Sequence, residues 1–137
     1  MKRESSRAVI IDNNRVLTMF RRKIDEVGNK NEYYAIPGGG IEESETMEKA
    51  VVRELQEELN VKIKILGYLG KVEKAKDIEN YFHCEIIEGT PRLGGEELEI
   101  MTDSNYYEPM YMDINELKNK NFQRMDVVNK ALNKKYE

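Results

Sequence analysis

Three glutamates lie close together in the segment RELQEELN, at positions 54, 57 and 58. In an α-helix, residues three or four positions apart share one face, so Glu54, Glu57 and Glu58 would place their carboxylates side by side. Each like-charge pair costs roughly a few tenths of a kcal/mol, and only the pair of Arg53 with Glu57 offsets that cost. Taken alone, the segment fits a solvated acidic helix face. The alternative is a bound cation, because hard divalent ions prefer oxygen ligands.

The residues on either side of these acids indicate a helix that begins just after a glycine loop. Thr46 is a suitable N-cap, and Glu48 suits the positive end of the helix dipole. Val52, Leu55 and Leu59 recur at helical spacing and predict the apolar stripe. The preceding PGGG at 37–40 is either an ordinary tight turn or the loop that positions the helix.

The rest of the chain alternates apolar strand patterns with helical ones, which is typical of an α/β layer fold. The pair Asn13-Asn14 tolerates positive φ and predicts a hairpin turn. Helical spacing of apolar residues predicts a C-terminal helix, and a long loop is expected before the last strand. The predicted strands are 7–12, 15–20, 61–65, 80–87 and 109–114, and the segment YYAI at 33–36 leads into the glycine loop. The predicted loop is 88–108, and the C-terminal helix is 123–136 with Met125, Val128, Leu132 and Tyr136 on its apolar side.

Chain length and net charge limit the number of domains and the kinds of binding partner that we expect. The 137 residues fit one domain, expected to span 1–137, and are enough for a core without disulfides. The net charge of −4 gives no reason to expect a nucleic-acid polymer or an anionic membrane as partner. Cys84 is the single cysteine, no apolar run is long enough for a signal peptide or membrane span, and a cytoplasmic location is expected.

The stretch GGIEESETMEKAVVRELQEELNV, residues 39–61, resembles the Nudix box, whose pattern is G, five residues, E, seven residues, R-E-U-x-E-E-x-G-U, with U aliphatic. The positions that match are Gly39, Glu45, Arg53, Glu54, Leu55, Glu57, Glu58 and Val61. Asn60 stands where the family has glycine. The position would close the helix in a left-handed conformation, for which Asn is the usual substitute, so the departure should change little.

The resemblance implies an α/β/α sandwich with a mixed β-sheet and hydrolysis of a nucleoside diphosphate linked to another group, assisted by Mg²⁺ or Mn²⁺. It implies that Glu57, Glu58 and the carbonyl of Gly39 are metal ligands and that Glu54 is a ligand or the general base. Arg53 and Glu45 are then expected to orient these carboxylates. Because Arg53 would orient catalytic carboxylates, we include it among the predicted catalytic residues.

Some family members take the base or an extra ligand from a later loop, and LGGEELE at 93–99 offers Glu96, Glu97 and Glu99. Of these we favour Glu97. Arg21 and Arg22, with Lys23, end a predicted strand and are expected either to bind substrate phosphates or to be a solvated strand end. His83 is expected to be structural, because its neighbours on a predicted strand are aromatic.

We expect a small nucleotide as substrate, either a nucleoside triphosphate or a compound like ADP-ribose. One or two aromatic residues should contact it. The alternative function is a catalytically silent nucleotide-binding regulator of the same fold, and an intact set of glutamates argues against it. The sequence leaves open the base, the number of metal ions and the oligomeric state, a homodimer included. The aromatic candidates are Phe20, Tyr33, Tyr34, Tyr81, Tyr106, Tyr107 and Tyr111.

Overall fold

A mixed sheet of seven strands with helices on both faces forms the protein; the computed structural model describes residues 2–137. None of the helices formed by these residues has both the length and the apolarity needed to span a bilayer. The elements in chain order are β1 (Arg3–Asp12), β2 (Arg15–Ile24), β3 (Lys30–Ala35), β4 (Gly38–Gly40), α1 (Met47–Leu59), β5 (Lys62–Glu73), β6 (Asp77–Glu88), α2 (Gly95–Ile100), β7 (Asn105–Asp113), α3 (Ile114–Leu117) and α4 (Met125–Leu132).

Strand β1 lies at the centre of the sheet and brings distant parts of the chain together. The main order is β3-β2-β1-β6-β5, with β4 beside β1 and β7 beside β2. β1 pairs in parallel with β6, where Arg7 lies opposite Tyr81, and antiparallel with β4, where Arg7 lies opposite Gly38. Residues separated by more than 70 positions in the sequence are therefore neighbours at this point.

Side chains of β1 alternate between the two faces of the sheet, as the period of a strand requires. Ala8 and Ile10 pack in one buried cluster with the apolar side of α1. Val9 packs in a second cluster that contains residues of α3 and α4. The two clusters on opposite faces confirm the predicted α/β/α sandwich with a mixed sheet.

Three local signals in the sequence predict the backbone correctly. Asn13 and Asn14 both have positive φ, 51° and 61°, and join β1 to β2 in the predicted hairpin. Thr46 caps α1, because its hydroxyl accepts a hydrogen bond of 3.1 Å from the backbone N–H of Lys49. Asn60 closes the same helix with φ 59° and ψ 35°, the predicted left-handed conformation.

The predicted apolar stripe of α1 is wrong at one position. Val52 is 39% exposed, whereas Val51 is fully buried with Leu55 and Leu59. The buried residues of α1 are therefore spaced four apart. At the N-terminal end of the helix, the buried position is one residue, or about 100°, away from the predicted one. Both valines fit a helical period, and the contact with the sheet decides between them.

The predicted loop 88–108 is also wrong, since it contains the short helix α2 and the first residues of β7. α2 has no buried residue, which is why its sequence shows no apolar period. The segment 37–40 likewise includes a short strand, β4. The last predicted strand ends at Asp113, and α3 begins at the next residue.

The C-terminal helix is shorter than predicted, ending at Leu132. Asn133 caps it, with its backbone N–H bonded to the carbonyls of Asn129 and Ala131. Tyr136 lies beyond the helix, where its hydroxyl is 2.9 Å from Nδ1 of His83. The ring of Tyr136 therefore continues the apolar sequence pattern of α4, although the residue lies beyond the end of the helix.

Candidate active site

The three glutamates of α1 differ strongly in exposure. The side chain of Glu57 is 57% exposed, that of Glu54 is 16% exposed, and Glu58 is buried at 6%. Because α1 packs one side against the sheet, the position nearest the buried stripe is carried inward. The acids thus form a series from solvent to interior along one edge of the helix.

Arg53 holds the outer part of this series in place. Its Nε and Nη2 donate to the two carboxylate oxygens of Glu45 at 2.7 and 2.9 Å. Its Nη1 donates to Glu54 at 3.0 Å and to Glu57 at 3.1 Å, and Nη2 also bonds the carbonyl of Gly40 at 2.9 Å. The hydrogen bonds from Arg53, followed by one from the backbone of Glu42, lower the pKa of Glu45 to about 2. Arg53 and Glu45 therefore lie where positioning residues are expected.

The inner two acids are electrostatically strained. Burial, with a smaller contribution from Glu97, raises the pKa of Glu58 to about 8, and the charge of Arg7 opposes the rise. Burial also raises the pKa of Glu54, although Arg53 acts in the opposite direction. No salt bridge from the rest of residues 2–137 reaches Glu58. A buried carboxylate without a cationic partner is costly in its charged form.

Gly39 lies directly against Glu54. A Cβ atom at position 39 would overlap the carboxylate of Glu54, so the glycine makes room for that group. Gly39 belongs to β4, which pairs with β1 at Ser6. The sheet thereby fixes the backbone of Gly39 beside the acids of α1.

Helix α2 brings two of the loop glutamates to the same place. Glu97, which is partly buried, lines the cleft that contains Glu54, Glu57 and Glu58, and the exposed Glu96 lines it as well. Glu99 does not line this cleft. The backbone N–H of Gly94 donates to the carbonyl of Glu58 at 2.8 Å, which ties the start of α2 to the end of α1.

Two connected clefts surround these residues. The first, of about 240 Å³, is lined by the glutamates and is called the carboxylate cleft below. The second, of about 410 Å³, shares Arg3, Gly39, Glu58 and Glu97 with it and is called the basic cleft. The other residues that line the basic cleft are Arg7, Met19, Arg21, Tyr33, Tyr34, Ala35, Ile36, Gly38, Lys74, Glu79, Tyr81, Tyr107, Gln123 and Arg124.

The two adjacent arginines of β2 lie on opposite sides of the strand. Arg21 lines the basic cleft, with its guanidinium carbon 3.8 Å from the ring centroid of Tyr107. Arg22 does not line it and instead stacks on Tyr106 at 4.7 Å. Successive strand residues alternate in direction, so of the two arginines predicted to bind phosphate it is Arg21 that faces the basic cleft.

His83 is buried and lies away from both clefts. Its ring contacts Tyr136, with a hydrogen bond of 2.9 Å between Nδ1 and the tyrosine hydroxyl. Burial, together with the charge of Lys134, lowers its pKa. This geometry is that of the structural histidine expected from the sequence.

Several residues of the basic cleft were missed by the sequence analysis. Arg3, Arg7, Lys74, Glu79 and Arg124 come from four separate segments and belong to no motif. The one available signal was the charge of Glu79 and Arg7 within strands that are otherwise largely buried. Such residues on a strand are a reason to look for a polar cleft.

The donor set of the carboxylate cleft fits a hard divalent cation. Glu54, Glu57, Glu58 and Glu97 all line it, and the burial and mutual repulsion of their carboxylates are what a bound cation would relieve. Across residues 2–137, no three acidic, histidine or cysteine side chains are drawn together closely enough to hold a metal ion in this conformation. Glu57 is bonded to Arg53, so it would have to turn inward to join such a set.

Comparison with known proteins gives the family and fold. A model of the NUDIX domain family matches residues 1–128, whereas a search of curated proteins finds no match. A Nudix hydrolase from Nitrosomonas europaea has a TM-score of 0.76 at 16% identity, covering 99% of this chain and 92% of its own. A MutT Nudix hydrolase from Burkholderia pseudomallei has a TM-score of 0.65 at 21% identity, covering 84% and 85%.

An ADP-ribose pyrophosphatase from Streptococcus suis has a TM-score of 0.59 at 13% identity, covering 84% of this chain and 76% of its own. At these identities the solved structures show the shared fold. The family match, which extends over most of the chain, shows the relationship itself. The chain therefore belongs to the Nudix family, and it is a Nudix-type pyrophosphohydrolase.

Proposed function

We propose that residues 1–137 act as one domain that hydrolyses a pyrophosphate bond in a nucleoside diphosphate linked to a further group, with Mg²⁺ or Mn²⁺ as cofactor. The observation that carries the proposal is the burial of Glu58 beside Glu54 and Glu97 without a cationic partner. A hydrolase of this class needs such acids to hold a cation. A nucleoside triphosphate and a compound like ADP-ribose are the substrates we would test first.

The metal ligands in this proposal are Glu54, Glu57, Glu58 and the carbonyl of Gly39. When bound, the cation neutralises phosphate charge and lowers the pKa of a coordinated water. Arg53 keeps Glu54 beside Gly39, because its bonds to Glu45 and to the carbonyl of Gly40 fix its own position.

The chain's own residues have further roles in this scheme. Glu97 lies in the wall that the two clefts share, and it accepts a proton from the attacking water. Arg3 and Arg21 line the basic cleft and bind substrate phosphate oxygens. Water adds to one phosphorus, the bridging P–O bond breaks, and the products are a nucleoside monophosphate and the phosphate of the other group.

The partner in this proposal is a small nucleotide rather than a nucleic-acid polymer or a membrane. A cytoplasmic setting is part of it, because Cys84 is a buried free thiol. The silent regulator of the same fold is the competing function. It would bind the nucleotide through the basic cleft and release it unchanged.

The test is an incubation with Mg²⁺ or Mn²⁺ and a panel of nucleoside triphosphates, ADP-ribose, nucleotide sugars and dinucleoside polyphosphates, with chromatography of the products. We expect a nucleoside monophosphate from at least one compound, and loss of turnover in Glu54→Gln. Glu48→Gln is the matched control, since Glu48 is an exposed acid of the same helix outside both clefts. Binding without turnover across the panel would favour the regulator.

A further inference from the structure

A compact group of charged residues lies in the basic cleft beside β6. It consists of Arg7, Lys74, Glu79, Tyr81 and Arg124 and is called the Glu79 cluster. Arg124 donates from Nη2 to Oε1 of Glu79 at 2.8 Å, and the hydroxyl of Tyr81 donates to the same oxygen at 2.9 Å. Nζ of Lys74 lies 3.4 Å from Oε2, and Nε of Arg7 lies 3.9 Å from it.

The cluster contains more positive than negative charge. Three cationic side chains surround the single carboxylate of Glu79, and burial, reinforced by Glu79, raises the pKa of Tyr81 to about 12, so the phenol is neutral. The surplus is thus two positive charges. The side chains of Arg7, Arg124 and Glu79 are only 21%, 16% and 12% exposed, so water screens this surplus poorly.

Unused hydrogen-bond donors lie in the same cleft. Among residues 2–137, two buried side-chain nitrogen or oxygen atoms have no hydrogen-bond partner, Nε of Arg7 and Nε of Arg21. Both arginines line the basic cleft. A buried donor without an acceptor costs about 1–3 kcal/mol, so its presence in a cleft wall points to an acceptor supplied by a ligand.

Arg7 connects the cluster to the hydrolytic residues. It lies between Gly38 of β4 and Tyr81 of β6, and its charge acts on Glu58 on one side and is close to Glu79 on the other. A ligand in the basic cleft can therefore reach the carboxylate cleft at one end and the Glu79 cluster at the other. The two ends recognise different chemistry, since one is acidic and the other basic.

We propose that the Glu79 cluster binds a phosphate monoester of the substrate that is separate from the diphosphate being cleaved. The inference rests on the proposed hydrolytic function and adds a substrate class to it, a nucleotide phosphorylated at a second position. A phosphate monoester carries about −1.5 to −2 charges at neutral pH, which matches the surplus of two. Glu79 is the positioning residue, since it accepts a hydrogen bond from Arg124 and pairs with Lys74, and both cations line the cleft.

Two pairs of compounds that differ by one phosphate monoester test the proposal with the wild-type enzyme and Mg²⁺. These are coenzyme A with dephospho-coenzyme A, and ADP-ribose 2′-phosphate with ADP-ribose. In at least one pair we expect kcat/KM to be about tenfold or more higher for the phosphorylated member, the effect of roughly one charge-assisted hydrogen bond. The difference should lie mainly in KM, because the monoester remains bound throughout the reaction.

Lys74→Gln and Arg7→Lys should reduce this preference. We expect a decrease of about threefold for Lys74→Gln, because the lysine is half-exposed, and a larger one for Arg7→Lys, which keeps the charge but loses Nε. Lys71→Gln is the matched control, an exposed lysine near the end of β5, three residues before Lys74, that lines neither cleft. It should leave the preference unchanged.

A binding measurement tests the phosphate-monoester subsite independently of turnover. In the presence of a chelator, calorimetry compares AMP with adenosine 2′,5′-bisphosphate and adenosine 3′,5′-bisphosphate on wild type and Lys74→Gln. Tighter binding of a bisphosphate, reduced in the variant, supports the subsite. Equal affinity for all three ligands, or equal kcat/KM within both substrate pairs, overturns it and leaves the hydrolytic proposal standing. Absence of turnover across the wider panel counts against the hydrolytic proposal, while the binding comparison still decides the subsite.

Discussion

Glu54 and Gly39 are in contact so closely that a methyl group at position 39 would occupy the space of the Glu54 carboxylate. The contact joins β4 to α1 and requires no unusual backbone angle at Gly39. It explains why a glycine precedes the helix at this spacing. The glycine leaves space for an acid rather than providing conformational freedom.

Gly39→Ala should therefore affect activity much more than stability. The Glu54 carboxylate is at the end of a flexible side chain and can move aside, so we expect a change of less than about 1 kcal/mol in the free energy of unfolding. Its displacement should lower kcat by about a hundredfold, as misplacement of a reacting group by about 1 Å can do. Thermal melts and steady-state kinetics measure the two effects.

Gly40→Ala is the control for this substitution. A Cβ atom there would lie 3.1 Å from Nη2 of Arg3, the end of a long exposed side chain, and would not touch Glu54. Its activity should fall by much less. Equal losses for the two variants would mean that the loop, rather than the contact with Glu54, is what activity requires.

The buried Glu58 predicts a particular dependence of stability on pH in the metal-free protein. Its folded-state pKa of about 8 is above the ordinary glutamate pKa of 4.5, so the folded state binds the proton more tightly than the unfolded state. This contribution to stability is fully present below about pH 4.5 and is lost as the pH rises to about 8. Urea unfolding with chelator, from pH 5 to pH 9, should show the decrease.

Glu58→Gln should remove this part of the pH dependence. Above pH 8 the variant should be more stable than the metal-free wild type by at least about 1.4 kcal/mol, the value of one pKa unit. A variant that is less stable than wild type at pH 9 would show that the ionised Glu58 has favourable partners. The burial argument would then be wrong.

Helix α2 allows its three glutamates to be compared within six residues. Glu97→Gln should lower kcat more than it raises KM, since a base acts in the chemical step. Glu96→Gln should have a smaller effect, because Glu96 is exposed and lines only the carboxylate cleft, and Glu99→Gln, outside both clefts, should have none. A larger effect at Glu99 would contradict the geometry. If all three variants have wild-type kcat, Glu54 is the better candidate for the base.

Asn60 does more than close α1. Its Nδ2 donates to the carbonyl of Arg92 at 3.0 Å, which links the helix end to the segment before α2. Asn60→Gly loses this bond but relieves the strain of φ 59°, so the free energy of unfolding should change by less than about 1 kcal/mol. Asn60→Ala loses the bond and keeps the strain, and it should cost about 1–3 kcal/mol. Equal stability of the two variants in urea unfolding would mean that the positive φ carries no strain.

The parts of the structure that the sequence predicts are those set by neighbouring residues. The hairpin at Asn13-Asn14 and the helix from Thr46 to Asn60 depend on turn and cap chemistry within a few positions. The glycine and acids of the Nudix box are likewise arranged by one loop and one helix. The spacing places the acids on one side of α1, and the pairing of β4 with β1 holds Gly39 beside them.

The parts it does not predict are set by contacts between distant segments. Arg7, Glu79 and Arg124 meet because β1 and β6 are parallel neighbours and α4 begins beside them, and no local pattern encodes that pairing. Val51 and Val52 both satisfy a helical period, so only the packed sheet selects the buried one. Arg21 and Arg22 differ for the same reason, since the strand period separates them but does not say which side has the cleft.

The most direct test of the central claim is the effect of Mg²⁺ on the melting temperatures of wild type and Glu58→Gln. A cation that binds only the folded state stabilises it by about 2.7 kcal/mol at a hundredfold excess over Kd, or roughly 5–10 °C for a chain of this size. If the glutamates of α1 hold the metal, millimolar Mg²⁺ should raise the wild-type melting temperature by several degrees above its value with chelator. Glu58→Gln should lose most of that rise. An equal rise in both proteins, with turnover intact in the variant, would contradict the account, because Glu58 would then not be a metal ligand.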